Sequence, residues 1–331
     1  SGGPIGMINV DLINEVNFFT GGFSTMYGDK LSSVLELKFR EGNRTFYNNQ
    51  IDLNIMGFGL VSEGPLSSNS SFLFSARRSY LNYVSKLFDI GTTSIPNYGD
   101  IQAKITWDIN SKHKISLIAL HGDDHNYPDR QAGIDNDMIF YGNQDIYQTS
   151  TGISWRALWN NSAYSQTSIG FLSSNYKEDF FETNTAQLFL RNRSLESSVN
   201  FRNSNHLRLS NSHSLELGFD YKHLINDYDN LYNSFSDALG NSTNTLVVDK
   251  TVHSDKAGAF INYITEVFTG FKTTVGIRSD YFSFSKNFTF SPRASFSYQF
   301  DELNSIKFAA GLFHQNLPMI ILTQNNQNNE L

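Results

Sequence analysis

The chain has 331 residues, 17% of them charged and 14% aromatic, and a formal net charge of −7. Its charged fraction lies below the roughly 25% of ordinary soluble domains, and it has no basic block that could grip a phosphate backbone, so nucleic acid is excluded as a partner. The absence of cysteine removes disulfides, thiolate metal sites and thiol catalysis.

The chain starts Ser1-Gly2-Gly3-Pro4, without the charged start and apolar core of a signal peptide, so any export signal is expected upstream. A run of β-formers follows, Ile13 to Phe18, then the pair Gly21-Gly22, then Tyr27-Gly28-Asp29. A second β-rich run from Val34 to Phe39 closes on charge. Tyr80, Leu81, Val84, Leu87 and Phe88 fall at helical spacing and predict a short helix within a long connection. Elsewhere the period is two. Ala103, Ile105, Trp107 and Ile109 alternate with Lys104, Thr106 and Asp108, and Ile153, Trp155, Ala157 and Trp159 follow the same rule. His213, Leu215, Leu217, Phe219 and Tyr221 alternate with Ser214, Glu216, Gly218, Asp220 and Lys222. From Phe288 to Phe300 every second residue is apolar, with Pro292 the one that cannot donate to a ladder. Ile306, Phe308, Ala310 and Leu312 repeat the pattern. About twelve or thirteen such segments can be marked. The longest aliphatic run, Met319 to Leu322, is far below the roughly 20 residues of a membrane helix.

The connections sort by length. Short polar ones lie at Ser67–Ser70, Asn110–His113, Asn160–Ser162, Ser210–Ser212, Thr269-Gly270 and Asp301–Asn304, and long ones at 81–99, 122–142, 179–188 and 226–247. Short and long alternate along nearly the whole chain, as in an up-and-down outer-membrane barrel with short periplasmic turns and long extracellular loops. A soluble sandwich or propeller also alternates along its strands. Its strands average five or six residues, however, against about 9–11 for a membrane crossing. The polar faces carry Lys104, Glu216, Lys222 and Arg293, as a wet lumen would.

Motifs for catalysis are missing. Gly22-Phe23-Ser24-Thr25-Met26 lacks the closing glycine of a nucleophile elbow, and there is neither a Walker loop nor His-Glu-x-x-His. No catalytic residue and no cofactor is therefore expected. The polar cluster His121, Asp123, Asp124 and His125, followed by Asp129, Asp135 and Asp137 and with Tyr127 beside it, carries hard and imidazole ligand types. It lacks the spacing of a calcium loop, so a solvated acidic loop is the plainer reading and no metal is expected. Asp227, Tyr228 and Asp229 form a second acidic loop. Both groups are candidate extracellular ligand contacts.

The opening stretch resembles the end of the plug domain of TonB-dependent outer-membrane receptors. Ile13–Phe18 matches that family's Ile-Glu-Val strand, Gly21-Gly22 its turn, Ser24-Thr25-Met26-Tyr27-Gly28 its Tyr-Gly motif, and Ser32–Leu37 the run into the last plug strand. Gly22 stands where the family has proline, and Ser32-Ser33 where it has a glycine pair. Both departures are similar to those of the branch that imports oligosaccharides, peptides and other bulky nutrients. Glu63-Gly64-Pro65-Leu66 resembles the Gly-Pro-Leu of the first periplasmic turn.

The resemblance implies an all-β fold. Residues 1–42 would be the C-terminal part of a plug, and 43–331 the N-terminal part of an antiparallel transmembrane β-barrel, with more strands following toward about 22. It implies TonB-dependent import of an oligosaccharide, peptide or metal chelate across the outer membrane of a Gram-negative bacterium. The implied partners are TonB, outer-membrane lipid and a nutrient, with a surface lipoprotein or other outer-membrane protein as a further one. The alternative is a non-transporting barrel serving as a structural or assembly partner. Gly21, Gly22 and Gly28 would permit close approach and positive φ. Tyr27 would anchor the plug and Asp29 closes its motif, the ring packed and the hydroxyl on a buried partner.

Overall fold

The computed structural model describes residues 8–54, 57–81, 97–234 and 243–324. A 3-10 turn at Val10–Leu12 leads into an antiparallel hairpin, β1 (Ile13–Phe19) and β2 (Val34–Phe39). Next come β3 (Asn48–Asn54), β4 (Gly57–Ser67), β5 (Ser70–Ser79), β6 (Asn97–Asp108), β7 (His113–Asn126), α1 (Arg130–Asp135), β8 (Phe140–Asn160) and β9 (Ala163–Glu182). They are followed by β10 (Leu188–Arg208), β11 (His213–Tyr232), β12 (Leu246–Phe268), β13 (Phe271–Phe282), β14 (Asn287–Gln299), β15 (Ser305–Gly311) and α2 (Met319–Leu322). Strands β3 to β15 form one 13-stranded sheet in sequence order, and every neighbouring pair is antiparallel. Among the described residues its two edges, β3 and β15, do not pair with each other.

Burial in this sheet is inverted relative to a soluble protein. Ile105, Trp107, Leu117, Ile153, Trp155, Ile169, Phe219, Ile261, Ile277 and Phe290 are exposed on one face. On the other, Ser75, Gln102, Thr106, Asn262 and Arg278 are buried. No helix among the described residues is long and apolar enough to cross a membrane, and the strands supply the apolar surface instead. Side chains on successive residues point to opposite faces, so the alternation seen in the sequence sets the outer and inner faces of a partial barrel. The sheet curves around the N-terminal segment. Leu12 packs on Val61 and Leu73 of β4 and β5, Asn9 donates to Ser75 at 2.8 Å, and residues 23–29 reach β12, β13 and β14.

Register carries the inner face across the sheet in rows. Leu158, Tyr164, His206, Glu216, Asn262, Gly276 and Arg293 stand side by side from β8 to β14. Lys114, Arg156, Gln166, Ser204, Gly218, Phe260 and Arg278 form the adjoining row from β7 to β13.

The structure differs from the sequence reading in two places. The long connections are shorter than expected, at 127–139, 183–187 and 233–245, because β8 to β12 run 20 to 23 residues. Such strands exceed a membrane crossing. In the extensions charged residues such as Asp123, Asp227 and Asp229 take outward positions while Leu224, Tyr228 and Val248 pack inward, so the alternation no longer marks a lipid-facing strand, although the ladder continues. Glu63-Gly64-Pro65-Leu66 lies inside β4, with a register irregularity between Pro65 and Ser67, and the turn itself follows at Ser67–Ser70. The helix expected over Tyr80–Phe88 falls largely on residues 82–96, outside the described residues. A short helix, α1, forms in the next long connection, with the Asp129 side chain accepting Ala132 N–H at 2.8 Å. Pro292 sits within β14. Its carbonyl accepts Leu312 N–H at 3.0 Å but its nitrogen has no proton to return, and β15 ends at Gly311.

The outward apolar face yields the first prediction. Ile277→Arg, mid-strand on the outer face, should destabilise folding into phosphatidylcholine vesicles by about 2–4 kcal/mol. Ser168→Glu, on the inner face opposite Arg202, should be nearly neutral in the same equilibrium folding measurement. Equal effects would show that the outer face does not meet lipid.

Candidate functional site

The segment between β1 and β2 lies against the inner wall of β10 to β14. Gly21 and Gly22 turn the chain with φ of 83° and 61°. A side chain at Gly22 would also collide with Ala309, whose Cβ lies 2.5 Å from the Cβ position. Ser24 then starts a tight turn. Its hydroxyl accepts Met26 N–H at 3.2 Å and its carbonyl accepts Tyr27 N–H at 3.1 Å. This turn leaves the carbonyls of residues 23 to 27 directed at the wall.

Three arginines receive them. Arg293 donates through Nη1 to the carbonyls of Phe23 (3.3 Å), Ser24 (2.8 Å) and Tyr27 (2.8 Å). Arg278 reaches those of Thr25 (3.5 Å) and Met26 (3.4 Å), and Arg202 donates to Met26 at 2.8 Å. Thus five consecutive carbonyls rest on guanidinium groups. Arg278 is 2% exposed and Arg293 8%, so each group needs its charge answered. Asp220 answers Arg278 through two contacts of 2.9 and 3.0 Å, and Asp280 adds another at 2.6 Å. Arg293 has no carboxylate within ion-pair distance among the described residues. It lies between the rings of Phe23 and Phe313, 4.9 and 4.4 Å from their centroids, and takes its compensation from aromatic faces and carbonyl dipoles.

Side chains complete the docking. Thr25 Oγ1 donates to Asn262 Oδ1 at 2.5 Å, and Asn262 Nδ2 donates to Ser24 Oγ at 3.0 Å and to Glu216 at 2.8 Å. Tyr27 packs against Phe19 and Phe23. Burial, followed by the neighbouring Glu36 carboxylate, pushes its phenol up to about 12. Gly28 does not take the left-handed conformation expected of it. Its role is close approach, because a Cβ there would lie 2.2 Å from Arg278 Nε. The left-handed residue is Asp29, at φ 56°. Its carboxylate pairs with Lys256 at 2.6 Å and accepts Asn316 N–H at 2.8 Å. Burial opposes ionisation of Asp29, but Lys256 and the Asn316 amide outweigh it and hold the carboxyl below its ordinary 3.8.

The acidic residues expected in loops lie mostly on strand extensions, in two separate groups. Asp123, Asp124 and His125 belong to β7, and Asp227, Tyr228 and Asp229 to β11. Asp123 shares the phase of exposed Leu117, and Asp227 and Asp229 that of exposed Phe219 and Tyr221, so these acids point outward from the wall. His125 lies between Asp123 (3.0 Å) and Asp145 (2.5 Å), Tyr127 donates to Asp145, and Arg78 pairs with Asp123 at 2.6 Å. Asp124 takes the opposite phase, and Asp129 caps α1. Asp227 accepts from Thr251, Asp229 pairs with Arg191, and buried Tyr228 donates to Glu196. Four strand spacings separate Asp123 from Asp227, roughly 19 Å. No group of three or more metal-ligating side chains occurs among the described residues. The wall residues Arg202, Arg278, Asn262 and Lys256 belong to no sequence motif. Their only signal there is a cation or amide on the polar phase of a strand, a trait shared with other inward residues of the sheet.

Two predictions follow from the docking. Arg293→Met strands carbonyls that lose charged donors, at about 1–3 kcal/mol for each one left unsatisfied. Amide exchange over residues 20–30 should rise at least tenfold while β6–β8 amides stay unchanged. Arg293→Lys should not restore protection, since an ammonium lacks the planar fork. Unchanged exchange would refute the arginine contacts. The depressed carboxyl of Asp29 contributes stability that is complete above its unfolded value of 3.8 and is lost as pH falls through the lower folded value. The melting temperature of Asp29→Asn should therefore trail wild type by a constant margin from pH 5 to 8, with the two converging at more acid pH.

No family model and no curated protein matches the chain. Solved structures do match. The ferric enterobactin receptor PfeA of Pseudomonas aeruginosa superposes with a TM-score of 0.65 at 13% identity, over 92% of this chain and 49% of its own. The siderophore receptor PirA of Acinetobacter baumannii gives 0.65 at 14%, over 93% and 48%. The outer membrane transporter YddB of Escherichia coli gives 0.61 at 12%, over 93% and 48%. The chain spans about half the length of these structures. With its partial antiparallel barrel wrapped around an N-terminal hairpin, the chain has the fold of the TonB-dependent outer-membrane receptors.

Proposed function

We propose that the chain is the plug–barrel junction of an outer-membrane receptor that imports a nutrient with energy delivered through TonB. Residues 1–42 are the end of the plug and 43–331 barrel wall. Short turns face the periplasm, and the long strand extensions face outward, where a nutrient first meets the protein. The observation that carries this reading is the attachment of residues 23–27 to the wall through backbone carbonyls on Arg202, Arg278 and Arg293. Such contacts hold a segment in place without a covalent bond or a large apolar core, and a pull on the plug can break and remake them. A structural barrel has no need of a polar, reversible attachment inside its lumen.

Solute depletion from the growth medium tests the reading. Cells carrying the full-length gene should deplete one class of solute that cells lacking the gene leave behind, and loss of TonB should abolish the difference. An identical depletion profile with and without the gene would overturn import. Depletion that persists without TonB would overturn its energy source.

A further inference from the structure

Between the hairpin and the inner wall of β6 to β10 lies a cavity of about 790 Å³. Its charge is one-sided. Lys38, Arg40, Lys104, Lys114, Arg156 and Arg202 line it, against the single carboxylate of Glu41. Three of these cations are answered: Lys38 by Glu15 at 3.1 Å, Arg40 by Glu63 at 2.5 Å and Lys114 by Glu41 at 2.6 Å. The other three have no carboxylate within ion-pair distance among the described residues. Lys104 donates to the Phe39 carbonyl at 2.6 Å, Arg202 to that of Met26 at 2.8 Å, and Arg156 lies over the Tyr164 ring at 5.2 Å.

The wall explains why there is room. Ser116, Gly152, Ser154, Ser168 and Gly170 face inward there, so register sets a shallow, hydroxyl-bearing floor among the cations. Lys114 stands directly opposite Arg156 on the neighbouring strand, and like charges so placed repel. A cleft lined by one sign of charge inside a low-dielectric wall concentrates counter-ions. Guanidinium and ammonium groups beside serine hydroxyls are the donor set that takes carboxylate and phosphate oxygens.

We propose that this cavity is a binding site for small solutes bearing several oxyanion groups, a stage on the route of an anionic cargo between hairpin and wall. It deepens the import reading by assigning the cargo its charge, and its test requires neither transport nor TonB, so each can fail alone. Arg202 belongs both to the cavity and to the contacts that hold the turn of the hairpin segment, whereas Lys104 meets the hairpin only at the end of β2, through the Phe39 carbonyl, so the test uses Lys104 and Arg156.

The full-length protein, purified in detergent, is titrated calorimetrically with citrate and with pyrophosphate at low and high salt, with glucose as the neutral control. Both polyanions should bind wild type at low salt and weaken as salt rises, while glucose should not bind. Lys104→Gln combined with Arg156→Gln should weaken both by about tenfold or more, the scale of a lost charge-assisted contact. Arg156→Lys, which keeps the charge, should retain most of the affinity and shows that the site survives substitution there. Lys286→Gln, in the exposed turn between β13 and β14, should leave binding unchanged. Failure of both polyanions to bind wild type overturns the proposal. So does binding that is unaltered in the double variant, or reduced as much by Lys286→Gln.

Discussion

A backbone amide inside hydrocarbon has no water to pair with, and in this chain that requirement organises everything else. A sheet in which each strand bonds its neighbours meets the need between its edges. Once the wall is a sheet, the period of two assigns every residue either to lipid or to the interior. Ile277 faces lipid and Arg278 does not, although they are consecutive. The outer face therefore carries aliphatic and aromatic side chains that would be buried in a soluble protein. The inner face can hold arginine, lysine and asparagine in a hydrated, protein-filled space.

That polar interior changes how the N-terminal segment is recognised. An apolar core would select side chains by shape, whereas three arginines here select a backbone conformation. Any residue supplies a carbonyl, so at Met26 the contacts fix turn geometry rather than side-chain identity, while Ser24 and Thr25 are held through their hydroxyls as well. The constrained positions are those where the chain itself is crowded. Gly22 approaches Ala309, and Gly28 approaches the guanidinium of Arg278. Gly21 and Gly22 make the turn because both adopt positive φ without strain. Arg278 is tied to Asp220 and Asp280, whereas Arg293 relies on two phenyl rings, so neighbouring cations are stabilised by different means.

The same inversion accounts for the long strands. Beyond the lipid band the outward positions turn ionic, as at Arg78, Asp123 and His125, yet the ladder continues because main-chain bonding does not depend on side-chain polarity. The extended wall carries its own ion pairs, including Arg193 with Asp179 and Arg191 with Asp229. The acidic residues that looked in sequence like loop ligands are in large part these outward partners.

The sequence by itself determined the strands, their phase and the sorting of short and long connections. The alternation of Phe288 to Tyr298 or of Leu215 to Tyr221 is a local property imposed by lipid on one side and water on the other. It also marked Gly21, Gly22, Tyr27, Gly28 and Asp29 as one motif. It could not give strand ends beyond the lipid band, where charged residues take outward positions and apolar ones such as Leu224 and Val248 turn inward. Nor could it show which inward cations matter, since Arg202, Arg278 and Arg293 look like any polar-phase residue. Tertiary structure decided that. Curvature brings a segment near residue 25 against strands some 240 positions later, with Thr25 bonded to Asn262 across a separation of 237 residues. Such long-range juxtaposition depends on register and curvature, and neither is written in any local pattern.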